Sequence, residues 1–271
     1  GAPWNIWSDQ SDSFSQRDTG WLQIYCETSQ EALDTIIMAY KASEQLMLPI
    51  MVMIDGFILS HTMERLLIPA QEQVDDFLPP YKPPYQLDPE NPLTFGAGAH
   101  PDLFYELKKA YSETMSEALI LLDQCQAEFE QKFNRQYSAV MQCLEGDQNS
   151  DTAVICCGAM TGTARVAVQS LNENGTPIDL YKLRLLRPFP RAELSAALKG
   201  KKRVIVLNRA CSYGVGGTLS QEIRTALYAL PERPVINDVM ISLGGKEVFP
   251  ETIIKVINNR ELLSDTESNW L

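Results

Sequence analysis

The sequence predicts an α/β protein in which two units contain parallel sheets. Short apolar runs alternate with helical stretches in both halves of the 271-residue chain, which is typical of parallel sheets covered by helices on both faces. A proline-rich segment, residues 66–95, and an uninterrupted helical pattern, residues 101–136, separate the two halves. A chain of this length accommodates two domains of ordinary size.

The composition and the charge exclude several classes of protein. Hydrophobic residues make up 45% of the chain, yet no apolar run is long enough to span a bilayer. The sequence shows no basic segment followed by an apolar run, so no secretory signal is expected. A net charge of −12 argues against binding to nucleic acid or to an anionic membrane, and it favours a basic protein partner.

The cysteines indicate free thiols rather than a metal site. They lack the C-x-x-C spacing typical of iron–sulfur clusters and zinc sites, and an adjacent pair lies in an apolar run, where cysteine acts as a small hydrophobe. We therefore expect a reducing, cytoplasmic setting and no metal held by this chain. The two histidines are too few for most histidine-based metal sites. The cysteines are Cys26, Cys125, Cys143, Cys156, Cys157 and Cys211.

The first unit begins with a strand–helix–strand pattern. Residues 3–7 are apolar and strand-like, and residues 22–26 form a second short strand. Thr28 and Glu31 make a capping box, which predicts the start of a helix. The apolar run at residues 49–54 predicts a strand buried on both faces of a parallel sheet. A strand, a helix and a parallel strand in this order form a right-handed crossover.

A polar stretch at residues 8–21 is the first candidate site. It holds three carboxylates and a single cation, Arg17, with almost no aliphatic side chain, so we expect a loop rather than a core element. The planar guanidinium of Arg17 would grip a ligand carboxylate through two hydrogen bonds. The alternative is an ordinary surface loop in which Arg17 pairs with Asp12 or Asp18.

The end of the strand at residues 49–54 is the second candidate site, because ligands of open parallel sheets collect at the carboxyl ends of strands. Gly56 permits close approach of the backbone, and Asp55, Ser60 and His61 offer polar contacts. The alternative is a strand-to-loop transition in which Asp55 caps the next turn and His61 has a structural role.

The segment between the two units is predicted to be a connector followed by a long helix. Residues 66–95 carry a high share of the chain's prolines, which favours an extended conformation that wraps the surface. After Pro101, neither glycine nor proline interrupts the helical pattern to about residue 136. A helix of this length spans roughly 50 Å, so we expect it to bridge two domains. Its apolar repeat is too irregular to favour a coiled coil.

The second unit contains four predicted strands that alternate with helices. This alternation again predicts a parallel sheet covered on both faces. The predicted strands are residues 153–157, 178–186, 204–207 and 235–239, and the predicted helices end near residues 171, 198, 230 and 259.

Two glycine-rich turns follow strands of the second unit. GAMTGTA lies after the first strand and YGVGGT after the third. Either turn could cradle a phosphate, but neither has the dinucleotide fingerprint or the lysine–serine/threonine ending of a P-loop. The alternative is that these strand-to-helix turns need glycine for their backbone conformation. The sequence contains no nucleophile motif such as G-x-S-x-G or H-E-x-x-H.

Four motifs together resemble the α subunit of 2-oxoacid:ferredoxin oxidoreductases, most closely the pyruvate type. They are NIWSDQSDSFSQRDTGW, MVMIDGFILSHTMERLLIP, KLRLLRPFP and NRACSYGVGGTLSQEI, and they keep the family's order over most of the chain. The resemblance implies an α/β fold with an incomplete thiamine-pyrimidine-binding domain, including the connector, over residues 1–98. A bridging helix would follow at 99–148, and a transketolase C-terminal-like parallel α/β domain at 149–271.

The resemblance also implies an activity and its partners. The family performs CoA-dependent oxidative decarboxylation of pyruvate to acetyl-CoA and CO2, reversibly, with ferredoxin as electron acceptor. Thiamine diphosphate and Mg would be shared with a β-type subunit, and iron–sulfur clusters would belong only to partner subunits (β, γ and a ferredoxin-like δ). The alternatives are a relative that acts on another 2-oxoacid, such as oxalate or a branched-chain acid, and a non-catalytic scaffold subunit.

Carried over to this sequence, the resemblance assigns roles to the two candidate sites. Arg17 of the R-D-T-G motif corresponds to the arginine that holds the carboxylate of the 2-oxoacid. The residues expected to line the substrate or cofactor pocket are Asp18, Thr19, Asp55, Gly56, Phe57, Ser60 and His61.

Overall fold

The computed structural model describes residues 3–96 and 98–271 and confirms the α/β class, with two main sheets and one small hairpin. The first unit lies around a three-stranded sheet. Its elements are α1 (Ser11–Ser15), β1 (Leu22–Tyr25), α2 (Ser29–Leu46), β2 (Ile50–Met53), α3 (Gln71–Phe77) and α4 (Pro101–Phe133).

The second unit lies around a six-stranded sheet. Its strands are β3 (Met141–Glu145), β4 (Thr152–Cys156), β5 (Asp179–Leu183), β7 (Arg203–Asn208), β10 (Val235–Met240) and β11 (Asn269–Trp270). Its helices are α5 (Met160–Glu173), α6 (Arg191–Leu198), α7 (Thr218–Leu227) and α8 (Pro250–Asn258). Strands β6 (Leu185–Arg187), β8 (Cys211–Ser212) and β9 (Gly216–Gly217) lie outside this sheet, and two short 3₁₀ helices cover Leu243–Gly245 and Arg260–Leu262.

The larger sheet has the order β11-β10-β7-β4-β5-β3, and all its strands are parallel except β3, which pairs antiparallel with β5. Alternate residues of a strand face opposite sides of a sheet. Ile155 therefore packs in the core with α6 and α7, and Val154 packs in the core with α5 and α8. The predicted parallel sheet with helices on both faces is confirmed.

The smaller sheet has the order β2-β1-β6, with β1 parallel to β2 and antiparallel to β6. Strand β2 lies at an edge and only Met53 among its residues is buried, so the prediction of a strand buried on both faces was wrong. Apolar content alone cannot distinguish a central strand from an edge strand.

Helix α2 has the predicted start. Thr28 Oγ1 accepts the N–H of Glu31 at 3.1 Å, and the Glu31 carboxylate accepts the N–H of Glu27 at 2.8 Å. Helix α4 is also confirmed, and it packs on β1 and α2 of the same unit through Ala118, Leu122 and Cys125. Residues 101–110 at its start are exposed on every side.

Two other expectations about the first unit need correction. Residues 3–7 form bends and irregular backbone instead of a strand, because no neighbouring strand in the described chain pairs with them. The connector contains α3, whose Phe77 is buried against Phe129 and Phe133 of α4. The contacts among these three aromatic rings hold the middle of the connector against α4. The prolines keep the rest of the connector free of regular secondary structure.

The predicted strand at residues 178–186 is two strands in different sheets. The chain leaves β5 at Leu183, turns at Arg184 and enters β6 in the smaller sheet. Arg184 is buried at this crossing, with Nε 2.7 Å from Glu31 and Nη1 donating to the carbonyl of Ser138 at 3.0 Å. The crossing joins the two units through one continuous stretch of chain.

Buried charges hold the two units together at the same crossing. Lys182 Nζ lies 2.6 Å from Glu31 and 3.0 Å from Glu27, and Arg165 contacts Glu27 at 2.6 Å. Glu27, Glu31 and Lys182 are all buried. Because buried charges cost free energy unless they are paired, this network ties the start of α2 to β5.

Candidate active site

The polar stretch at residues 8–21 is partly a core element, contrary to the sequence expectation. Ser8, Gln10, Ser13 and Phe14 are buried, and residues 11–15 form the short helix α1. Each buried polar group has a partner: Ser8 Oγ donates to the carbonyl of Gly56 at 3.0 Å, and Ser13 Oγ donates to that of Gln10 at 3.0 Å. The sequence favours a loop because burying polar groups costs free energy. These hydrogen bonds offset that cost, so the polar side chains can be buried.

A cleft of about 930 Å³ lies between this stretch and the carboxyl end of β2. Tyr25, Met51 and Met53 line it on the sheet side. Residues 3–13 and Gln16 line the opposite side, and the exposed Tyr213 reaches it from the second unit. The position at the carboxyl ends of β1 and β2 is the one that the sequence predicts for a ligand site.

The carboxylate of Asp55 is buried, and both of its oxygens have partners within the protein. Its Oδ1 lies 3.1 Å from Nη1 of Arg209 and accepts from the Gln10 amide at 3.2 Å. Its Oδ2 accepts the backbone N–H of Ala159 at 2.5 Å. Asp55 thereby links the opening stretch, the glycine-rich turn after β4 and the residue after β7. The sequence placed Asp55 correctly at a strand end and did not show these partners.

Both glycine-rich turns hold a carboxylate of the protein itself. The turn after β4 receives Asp55 through Ala159, and the turn before α7 receives Asp238, whose Oδ2 accepts the N–H of Gly217 at 2.6 Å. Asp238 also accepts from Asn208 at 2.7 Å and from Ser220 at 3.0 Å. One backbone N–H group of each turn is therefore already bound to a carboxylate, which favours the structural interpretation of these glycines.

The segment after Asp55 forms an aromatic corner at the edge of the cleft. Phe57 has φ +61°, an uncommon conformation for a bulky residue. Its ring stacks on His61 with centroids 4.2 Å apart and lies 5.3 Å from Trp7. Ser60 Oγ accepts the N–H of Phe57 at 2.9 Å and bonds His61 Nδ1 at 2.8 Å. The exposed Ser60 and His61 thus support the conformation of Phe57.

Arg17 lies in a second polar cluster, beside the cleft. Gln16 lines the cleft, whereas Arg17 turns toward α7, where its Nε is 3.3 Å from Glu222. Its Nη1 donates to the carbonyl of Phe14 at 3.0 Å. Arg187, at the end of β6, lies 2.8 Å from the same oxygen of Glu222. The Arg17 side chain keeps 30% of its surface exposed.

The remaining residues of the R-D-T-G motif shape the chain around Arg17. Asp18 is exposed and lies 3.8 Å from both Arg17 and Arg187. Thr19 Oγ1 caps the turn by donating to the carbonyl of Gln16 at 2.6 Å. Gly20 has φ +94° and lies close to Tyr111 of α4, whose hydroxyl donates to its carbonyl at 2.8 Å. A Cβ at Gly20 would strike that ring, so the motif requires glycine here.

The structure therefore divides the sequence-predicted residues between two neighbouring clusters. Asp55, Gly56, Phe57, Ser60 and His61 lie at the end of β2. Arg17, Asp18 and Thr19 lie where the opening stretch meets α7 and the end of β6, with partners different from those of Asp55. The stretch at residues 8–16 connects the clusters along one side of the cleft.

Sequence reasoning missed the partners of these residues. Gln10, Arg209, Arg187 and Glu222 contact the predicted residues from distant parts of the chain. The R-P-F-P ending of the β6 segment was a usable signal for Arg187. Glu222 is the one carboxylate of helix α7, and the sequence around it carries no sign of its contacts with Arg17 and Arg187.

Burial sets the protonation of the groups behind the cleft. Desolvation raises the pKa of Tyr25 and of Cys157 well above their ordinary values. The neighbouring Cys157 raises the pKa of Tyr25 further, and the neighbouring Asp55 raises the pKa of Cys157 further. Tyr25 and Cys157 are therefore neutral near pH 7. The neutral Cys157 thiol donates to Gln10 at 3.3 Å, and the Tyr25 hydroxyl bonds Ser13.

Two family models match the chain. The model of the thiamine-diphosphate-binding domain of pyruvate flavodoxin/ferredoxin oxidoreductase matches residues 1–126. The model of core domain II of pyruvate:ferredoxin oxidoreductase matches residues 150–253. The boundary between the two matches falls in and just after helix α4.

Curated relatives and solved structures are also similar to the chain. Ketoisovalerate oxidoreductase subunit VorA of Pyrococcus horikoshii is 38% identical over 99% of this chain and 69% of its own length. Pyruvate synthase subunit PorA of Methanothermobacter thermautotrophicus is 36% identical over 96% and 67%. The structure of 2-oxoglutarate:ferredoxin oxidoreductase from Magnetococcus marinus superposes with a TM-score of 0.62 at 18% identity, over 94% of this chain and 45% of that one.

The fold, the site and these matches define an oxidoreductase subunit. The chain belongs to the family of 2-oxoacid oxidoreductase subunits that includes the PorA subunits of pyruvate synthase and the VorA subunits of ketoisovalerate oxidoreductase. The chain spans about two thirds of the length of these curated relatives and less than half of the structural one. In the described residues, the structure contains no helix with the length and apolar character needed to cross a membrane.

The cleft fits the organic rings of thiamine diphosphate better than its diphosphate. Tyr25, Met51 and Met53 provide an apolar wall against which a flat ring can pack. Asp9 and Asp12 line the other side, and no lysine or arginine is among its described lining residues. A diphosphate would meet like charge there, whereas a ring with hydrogen-bonding nitrogens would not. The chain is therefore suited to form one wall of the cofactor pocket.

Proposed function

We propose that the chain orients the 2-oxoacid in a thiamine-diphosphate-dependent enzyme that decarboxylates pyruvate oxidatively. The products would be acetyl-CoA and CO2, with ferredoxin as electron acceptor and with the reaction reversible. The observation that carries the proposal is the state of Arg17: a partly exposed guanidinium beside a cleft at the carboxyl ends of β1 and β2. Arginine is the side chain best suited to bind a carboxylate through two hydrogen bonds.

Each residue of the site has a role in this proposal. Arg17 binds the carboxylate of the substrate, and Thr19 and Gly20 hold its backbone in place. Asp55 holds Gln10, which lines the cleft, through a hydrogen bond, and it pairs with Arg209. The other predicted residues, Asp18, Gly56, Phe57, Ser60 and His61, shape the edges of the two clusters.

Other subunits complete the proposal. Thiamine diphosphate supplies the covalent chemistry of decarboxylation when it is bound. The described residues that line the cleft include no lysine or arginine, which supports a partner subunit as the holder of the diphosphate and its Mg. We also propose that the iron–sulfur clusters belong to partner subunits; the described part of this chain has no group of three metal-ligating side chains. The six free cysteines support a reducing, cytoplasmic setting.

A second candidate substrate is a branched-chain 2-oxoacid. The VorA relative named for ketoisovalerate is as similar to the chain as the PorA relative named for pyruvate. Both substrates carry the same carboxylate and keto group, so the role proposed for Arg17 is the same for either. They differ only in the size of an apolar group, and each additional methylene is worth about 1–3 kcal/mol in a hydrophobic pocket.

Reconstitution tests the proposal. The chain is combined anaerobically with the partner subunits of its native source, and ferredoxin reduction is measured with pyruvate, ketoisovalerate, 2-oxoglutarate and oxalate. We expect CoA- and thiamine-dependent activity that requires this chain and has its highest kcat/KM with pyruvate. A preference for ketoisovalerate would transfer the assignment to the second candidate. Equal activity without the chain would make it a scaffold.

A further inference from the structure

We propose that Glu222 of α7, together with Arg187 of β6, positions Arg17 for the carboxylate of the 2-oxoacid. This inference rests on the substrate-binding role proposed for Arg17. It gives a functional role to the second unit, whose contribution would otherwise be only structural. Glu222 lies 205 positions along the chain from Arg17 and contacts it directly at 3.3 Å.

The contacts of Arg17 leave one side of its guanidinium for a ligand. Of its five N–H groups, one on Nη1 donates to the carbonyl of Phe14 at 3.0 Å, and the Nε atom lies 3.3 Å from Glu222 in an ion pair. The second N–H of Nη1 and both on Nη2 have no hydrogen-bond partner among the described residues. Neighbouring N–H groups on Nη1 and Nη2 form the planar fork that matches a carboxylate. The protein therefore contacts Arg17 at Nε and at one N–H of Nη1, and it leaves the end of the guanidinium formed by Nη1 and Nη2 for a ligand.

Arg187 fixes the backbone of Arg17 as well as the carboxylate that holds its side chain. The Nε of Arg187 donates to the carbonyl of Arg17 at 3.1 Å. Its Nη2 lies 2.8 Å from the oxygen of Glu222 that also faces Arg17. Arg17 is thus contacted both by Arg187, at the end of β6 in the smaller sheet, and by Glu222 of the second unit. If Arg187 and Glu222 served only to pair β6 with α7, neither residue would need to contact Arg17, yet both do.

The charge of this cluster suits a monoanionic ligand. Two guanidinium groups share the single carboxylate of Glu222, which leaves one net positive charge. The nearby Asp18 is 3.8 Å from each arginine and is 80% exposed, so water screens it strongly. Glu222 and Arg187 are only 17% exposed and are screened less. A substrate carboxylate bound to Nη1 and Nη2 of Arg17 would neutralise the remaining positive charge.

The test compares variants of Glu222 in the assembled enzyme. Glu222→Leu removes the carboxylate, and Glu222→Gln keeps an oxygen that both arginines can reach. We expect Glu222→Leu to raise the KM for the 2-oxoacid about tenfold with kcat little changed, because it removes the ion pair that holds Arg17 in position for the substrate carboxylate. Glu222→Gln should give a smaller rise, and the KM for CoA should stay at the wild-type value. Glu261→Leu, which breaks an exposed pair with Arg203 in the same unit, is the control.

Arg17→Lys separates this inference from the proposed function. A raised KM in Arg17→Lys with unchanged KM in both Glu222 variants would overturn the positioning role and leave the proposed function standing. An unchanged KM in Arg17→Lys would overturn both. Should Glu222→Leu fail to assemble, Glu222→Gln decides: the inference predicts a raised KM for the acid alone, and an unchanged KM or equal rises for acid and CoA contradict it.

Discussion

The carboxylate of Asp55 lies 3.1 Å from the guanidinium of Arg209, and both side chains are buried. The pair joins the carboxyl end of β2 in the smaller sheet to the residue after β7 in the larger one. Since Asp55 also accepts from Gln10 and Ala159, one side chain sets the position of the cleft relative to both sheets.

Asp55→Asn is expected to destabilise the protein by about 3–5 kcal/mol, because removing one partner leaves a buried charge without compensation. The new amide would also place an N–H group against that of Ala159 or against Arg209. Urea unfolding measures the loss. Asp151→Asn, which breaks the exposed pair with Lys202, should change the free energy of unfolding by less than about 1 kcal/mol. Equal losses in the two variants would contradict the role given to Asp55.

Gly158→Ala should cost clearly more stability than Gly175→Ala. Both glycines have positive φ, +66° and +79°, so each alanine adds a backbone cost of about 1–2 kcal/mol. Only at Gly158 would the new Cβ overlap Asp55, whereas nothing lies within 4 Å at Gly175. Melting temperatures and urea midpoints give the comparison. Indistinguishable losses would mean that the turn after β4 does not enclose Asp55 as described.

Lys182→Met should destabilise the junction between the two units by about 3–5 kcal/mol, since it leaves the buried Glu27 and Glu31 facing each other with less positive charge. Lys109→Met removes a lysine from an exposed pair with Glu113 and is the matched control, with an expected change below about 1 kcal/mol. Chemical denaturation followed by tryptophan fluorescence reports both variants. A small effect of Lys182→Met would show that Arg165 and Arg184 suffice to compensate the carboxylates.

Alkaline pH should weaken the fold through its buried thiols. Burial, helped by Glu31, raises the pKa of Cys26 from 9.0 to about 11. Between these values the unfolded chain releases the proton and the folded protein keeps it, so the free energy of unfolding falls as pH rises. Cys26→Ala should remove about 2 kcal/mol of the decline measured between about pH 8 and pH 11. An unchanged decline would place the sensitivity in other groups.

The sequence predicted the fold class and most elements because those depend on local pattern. The helix at Arg191–Leu198 and the capped start of α2 follow from spacing within a few residues. The division of residues 178–186 into β5 and β6 does not, because Arg184 is stabilised at the break by Glu31 and Ser138 from other elements. Likewise, the edge position of β2 depends on which strands pair with it rather than on its own residues.

The sequence predicted which strand ends and motifs form the candidate site. It did not predict which residues from distant parts of the chain contact them. Asp55 follows a recognisable strand, and Arg17 is the single cation of its stretch. The partners Arg209 and Glu222 become neighbours only when the second unit folds against the first. The burial of Gln10 and Ser13 was missed for the same reason: the groups that satisfy them lie on other elements.

The KM of the Arg17→Lys enzyme for its 2-oxoacid tests the account most directly. Lysine keeps the charge and loses the planar fork, so the account predicts a KM raised about tenfold or more, with the KM for CoA and the assembly of the complex unchanged. An unchanged KM for the 2-oxoacid would contradict the account and remove Arg17 from the substrate site.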